Sequence, residues 1–213
     1  MTRTTFTALV SAAVLAACSN TPPTPDWQMS ARGALDDFTA AYMSGNTRVE
    51  AAEFARARRA LSSTGQPEQV ARAELLRCAV QVASLVFEPC LGFEPLRQDA
   101  PAAERAYAAY LAGQAQPQDA ALLPAPQRAV LAGGPDAVKA VADPLSRLVA
   151  AGVLMRMGRA SPDVIAQAVD TASAQGWRRP LLAWLGVQAQ RAEAAGAGNE
   201  AARIRRRMAL VAP

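Results

Sequence analysis

Cys18, Cys78 and Cys90 are the only thiols of a 213-residue chain that contains no histidine. Lacking imidazole, the chain has no Ser-His-Asp or Cys-His catalysis, no histidine zinc ligand and no histidine pH switch. A metal site of two cysteines would have no histidine partners, so neither a metal nor a cofactor is expected. The carboxylates offer no better start. Asp36 and Asp37 are neighbours on a helix and point roughly 100° apart, so they cannot share one site. Glu88 and Glu94 flank Pro89 and Cys90, whereas glycoside hydrolysis needs two carboxylates held across a cleft. Lys139, the single lysine, has no serine at the three-residue spacing of a Ser-Lys dyad. Gly133-Gly134-Pro135 follows no strand and lacks the phosphate-cradling pattern. No catalytic residue is assigned, and an enzyme is not expected.

The position of Cys18 is more informative. Arg3 is the only charge ahead of it, and Phe6 to Ala17 forms an apolar run of twelve residues, within the range of a signal core and short of the ~20 residues a spanning helix needs. That run closes as Leu15-Ala16-Ala17-Cys18, followed by Ser19. The stretch resembles the lipobox of bacterial lipoprotein signal peptides. The resemblance implies removal of residues 1–17, a diacylglycerol on the Cys18 thiol, and an acyl chain such as palmitate on the new amine. By the sorting rule of that family, Ser19 without a neighbouring aspartate implies the outer membrane, with the protein on its periplasmic face. An ordinary secretory signal with Cys18 near the cut is the alternative. A triacylated cysteine would be a stable anchor, since each buried CH₂ adds roughly 0.8 kcal/mol.

Downstream, the types of residue bound the fold. Apolar residues make up 51% of the chain and aromatics 5%, with alanine leading, a mixture that favours close-packed helices over sheets. The net charge of +4 falls to +3 without Arg3, and a periplasmic address removes nucleic acid as a partner. Residues 18–25 are the lipidated cysteine and a proline-rich tether of on the order of 20 Å in extended geometry. Residues 26–213 form the helical domain, with a candidate seam at 114–135, where Pro117, Pro124, Pro126, Gly133, Gly134 and Pro135 crowd together.

Asp26 is expected to cap a first helix ending at Gly45, and Thr47 to Glu50 to form a capping box opening a second, through Leu61. Pro67 should open a strongly apolar third helix to about Phe87, the most buried of the set. Shorter helices are expected at 103–111 and 136–142. Asp143-Pro144 and Ser161-Pro162 read as paired N-cap and first-turn signals, and Gly158, Gly176 and Gly196 as stops. They imply helices over 143–157, 161–175, 178–195 and 198–211. Leu181 to Val211, with Trp184, Gly186, Ala201 and Ala202, resembles a tetratricopeptide repeat, as does Leu35 to Leu61, with Tyr42, Gly45, Phe54 and Ala57. The expected fold class is all-α: antiparallel helix pairs, in a tetratricopeptide-like array or an irregular bundle.

Cys78 and Cys90 remain as a pair in an oxidising compartment. A bridge requires the chain to reverse at Glu88-Pro89, and it would stabilise by roughly 3 kcal/mol for a loop of about 13 residues. Two buried thiols are the alternative. Two arginine clusters could meet an anion or a partner: Trp177-Arg178-Arg179 between helices, and Arg203, Arg206 and Arg207 on the last helix. The simpler account of the second is a solvated helix face whose cations suit the negative end of the helix dipole, and that of the first is a tryptophan packed back on a neighbouring helix end. The expected function is a non-enzymatic envelope scaffold, an assembly accessory or a pilotin-like subunit, bound to another envelope protein. A carboxylate-based enzyme acting on peptidoglycan or glycan and a small-ligand-binding lipoprotein are the competing classes. A shallow apolar groove would favour the first, two acids within roughly 10 Å across a pocket the second, and an enclosed cavity of about 300 Å³ or more the third.

Overall fold

Helix breakers divide the chain into short rods, and alanine on their inner faces lets those rods approach closely. The computed structural model describes residues 25–212, so the signal segment, Cys18 and the tether up to Thr24 lie outside the described residues. Nine α-helices follow one another among the described residues: α1 Asp26–Ser44, α2 Thr47–Ser62, α3 Pro67–Ala83, α4 Ala102–Leu111, α5 Ala125–Gly133, α6 Pro144–Arg156, α7 Pro162–Ala174, α8 Arg178–Ala194 and α9 Gly198–Val211. Three 3₁₀ turns, Glu94–Leu96, Pro117–Leu122 and Gly134–Ala140, fill the connections, and no strand occurs among the described residues. The fold is all-α, with consecutive helices packed in pairs.

Local chemistry explains most boundaries. The carboxylate of Asp143 accepts the N–H of Ser146 at 2.7 Å, and the hydroxyl of Ser161 accepts that of Val164 at 3.3 Å, each with proline at the next position. Gly45 closes α1 in the left-handed region, at φ 83°. Two expected caps shift by one residue. Asn46, not Thr47, caps α2, its side chain accepting the N–H of Val49, and Pro25 precedes α1, leaving Asp26 in the first turn.

The larger correction is at α3, which ends at Ala83 and not near Phe87. The reversal sits at Ser84-Leu85 in place of Glu88-Pro89. Leu85 adopts φ 61°, a conformation that costs a non-glycine residue about 1–2 kcal/mol. Two bonds offset it: the N–H of Val86 reaches the carbonyl of Gln81 at 2.9 Å, and that of Leu85 reaches Val82 at 3.0 Å, the pattern of a Schellman stop. Residues 86–90 then run irregularly back along α3 and bring Cys90 to Cys78. The two are joined, with Cα atoms 5.8 Å apart.

Helices α3 and α6 form the centre. Ten residues of α3 are buried, as is every residue from Leu148 to Leu154 of α6. Their axes come close at Gly152, where a side chain would overlap the backbone carbonyl of Val82. The α1–α2 pair packs through Phe38 and Phe54, their ring centroids 5.0 Å apart. In a solenoid each repeat touches only its neighbours, but this chain closes on itself. Trp184 of α8, fully buried, donates its indole N–H to the carbonyl of Ala83 at 3.0 Å. Arg179 pairs with Glu50, 129 residues away. Those long-range closures favour the bundle over the regular array, although Leu35–Leu61 and Leu181–Val211 do each fold as a helix pair. One hydrophobic core takes in residues from α1 to α9, including Val130 of α5 and Val138 of the 3₁₀ turn that follows it.

Candidate functional site

Between α3, α4 and α6 the surface opens into a groove of about 390 Å³. Leu75, Leu76 and Ala79 supply one wall, Ala103 and Tyr107 a second, and Leu145 and Val149 a third; Leu122 and Pro124 close one side. The spacing follows from helix geometry, since residues three and four apart share a face. Leu122, 43% exposed, forms an apolar lip. The groove is open to solvent, and its walls are predominantly apolar.

One charged pair interrupts the apolar lining. Arg72 Nε donates to Glu104 Oε1 at 2.5 Å. Arg72 is largely exposed, but Glu104 keeps only 7% of its surface, and its second oxygen, Oε2, is buried with no hydrogen-bond partner. Tyr107 stands one turn from Glu104. Its phenol is held well above the ordinary value, first by burial and then by the charge of Asp143, so it stays protonated. Neither Arg72 nor Glu104 stands out in the sequence as a functional residue. One signal was available: Glu104 shares a helical face with Ala108 and Leu111, all three buried, and a carboxylate on an apolar stripe needs a cation nearby.

The structure does place Glu88 and Glu94 on one cleft, of about 210 Å³, beside the Cys78–Cys90 bridge, Arg97 and Arg156. Arg97 grips Glu94 with two bonds of 2.7 and 2.8 Å and holds its carboxyl below the usual range. A general acid for glycoside cleavage needs the opposite shift. Arg97 and Arg156 are also seated over the rings of Phe93 and Phe87, at 5.0 and 5.6 Å.

The two arginine clusters occupy different places. Trp177 is half-buried against the core and precedes α8. Arg178 lies against Gly45. Arg179 donates to Glu50 at 2.9 Å and sits 4.0 Å from the Tyr42 ring, fastening α8 to the α1–α2 pair. On α9, Arg203 is held by Glu200 through bonds of 2.8 and 2.7 Å, and Arg205 pairs with Glu193. Arg203 and Arg207 line a shallow groove with Arg191 of α8, while Arg206 is exposed and makes no ion pair among the described residues. No cluster of three or more potential metal ligands occurs among the described residues, and no described helix is long and apolar enough to cross a membrane. Compared with family models, with curated proteins and with solved structures, the chain matches none.

Proposed function

We propose that this chain is an envelope lipoprotein, held through acylated Cys18 on the periplasmic face of the outer membrane, that docks another envelope protein in the α3–α4–α6 groove. It acts as an assembly accessory or pilotin-like subunit and not as an enzyme. The observation that carries this reading is the groove itself: open and apolar-walled, with a leucine lip, it is suited to the side chains of a partner segment. The proline-rich tether gives the bundle a reach of on the order of 20 Å from its anchor. A small-ligand site is the weaker alternative, because the volume suffices but the space is not enclosed.

Site-specific photo-crosslinking in living cells tests the docking reading. A photoreactive residue at Leu122 should give a discrete adduct that vanishes when Ala103→Trp fills the groove. The same residue at Arg59, exposed on α2, should give none. Adducts of equal yield from both positions, or none from Leu122, would refute docking at this groove.

A further inference from the structure

We infer that the outward face of α9 docks on a bilayer of acidic phospholipid, its arginines meeting headgroup phosphates and Leu210 entering the headgroup layer. This contact lies apart from the α3–α4–α6 groove, and it takes from the reading above only the nearness of a membrane.

At about 100° per residue, Arg203, Arg206, Arg207 and Leu210 fall within about 100° of arc on α9, turned away from the buried Ala201 and Ile204. Asn199, Ala202 and Ala209 fill the rest of that side. The outward face therefore carries no carboxylate, and its small residues let guanidinium groups approach a flat surface. Positive charge is in excess here, since residues 188–211 hold five arginines against two glutamates. Arg203 takes up Glu200 and Arg205 takes up Glu193, while Arg206 and Arg207 make no ion pair among the described residues. Arg207 also lines the shallow groove of about 280 Å³ that it shares with Arg191, Arg203 and Glu200, where a phosphate would find guanidinium donors.

Leu210 decides the class of partner. It is 87% exposed, more than any other large apolar side chain among the described residues, and it stands one turn beyond Arg206 and Arg207. A soluble polyanion would use the arginines and leave Leu210 in water. An acidic bilayer takes both, because its phosphates meet the guanidinium groups while an aliphatic side chain sinks toward the acyl chains.

The test protein is residues 18–213 carrying Cys18→Ser, with the Cys78–Cys90 bridge formed, which keeps the whole core and has no acyl chain. It is sedimented with vesicles of phosphatidylcholine alone or of equimolar phosphatidylcholine and phosphatidylglycerol. At about 0.05 M NaCl it should bind the acidic vesicles and not the neutral ones, and about 0.5 M NaCl should release it. Arg206→Ala with Arg207→Ala should weaken binding about 25-fold, at about fivefold per arginine near an acidic surface. Arg48→Ala with Arg59→Ala, at exposed positions of α2, removes the same charge and should leave binding as in the wild type. Leu210→Ser, which changes no charge, should weaken it several-fold. Inorganic phosphate at matched ionic strength should not compete. Failure of a chain with native circular dichroism to bind acidic vesicles, equal losses from the two double variants, undiminished binding by Leu210→Ser, or displacement by phosphate would each overturn the inference. Ala103→Trp should bind vesicles as the wild type does, so failure at α9 leaves groove docking and the anchor at Cys18 standing.

Discussion

Gly152→Ala puts a methyl group where α6 meets α3. A Cβ at this position would overlap the carbonyl oxygen of Val82 and lie 2.9 Å from Val82 Cγ1. That carbonyl cannot swing aside freely, because it accepts the N–H of Leu85 at 3.0 Å in the turn that ends α3. The two central helices must part. Alanine in a helix interior gains about 0.5–1 kcal/mol over glycine, while overpacking a filled core costs about 1–3 kcal/mol, toward the upper end where backbone is the obstacle. The net is a loss of about 2 kcal/mol. At ~2–4 °C per kcal/mol for a chain of this size, Tm should fall by about 4–8 °C. Gly33, in α1, is the control, since nothing lies within 4 Å of its Cβ position. Gly33→Ala should raise Tm by about 1–4 °C. Far-UV circular dichroism during heating reads both. A Gly152→Ala chain that melts at or above wild type would show that α3 and α6 do not meet at this glycine.

Reducing the Cys78–Cys90 bridge should cost about 3 kcal/mol and lower Tm by about 6–12 °C; Cys90→Ser should melt at the reduced value and ignore reductant, and identical melting with and without reductant would count against the bridge. The three tyrosines should titrate late. Burial is the main cause of the raised values of Tyr42, Tyr107 and Tyr110, with the charge of Asp143 adding at Tyr107 and Arg179 opposing at Tyr42. An unfolded phenol ionises near pH 10, so the stability these phenols contribute is present below that pH and lost as pH rises above it. Phenolate absorbance should therefore appear together with loss of helicity. A reversible titration near pH 10 in a chain that stays helical would contradict the packing around α4.

Much of the fold was legible because its punctuation is local. Asp143 and Ser161 cap their helices with proline at the next position, and Gly45, Gly158, Gly176 and Gly196 stop theirs, since each signal acts within one helical turn. The end of α3 was not legible, because a leucine occupies the left-handed position that glycine usually marks, and only the carbonyl bonds of Gln81 and Val82 reveal it. Proline at position 89 pointed to a reversal four residues too late. The Cys78–Cys90 pair came through regardless, because either turn returns the chain along α3. The groove was beyond sequence reasoning. Its walls come from four separated stretches, and the register that brings Arg72 to Glu104 is set by how α3 and α4 pack. Glu74 illustrates the same limit. It reads as one more polar residue in an apolar helix, yet it is buried, paired with Arg58, and packed so closely on Gly92 that a side chain there would have to displace its carboxylate.

The reading of this bundle as a membrane-tethered docking module rests on its anchor, and intact mass spectrometry of the protein extracted from the cell envelope tests that most directly. The mature chain should begin at Cys18, with residues 1–17 gone, a diacylglycerol on the thiol and a further acyl chain on the new amine. A chain that begins elsewhere, or that carries position 18 as a free thiol, would contradict it.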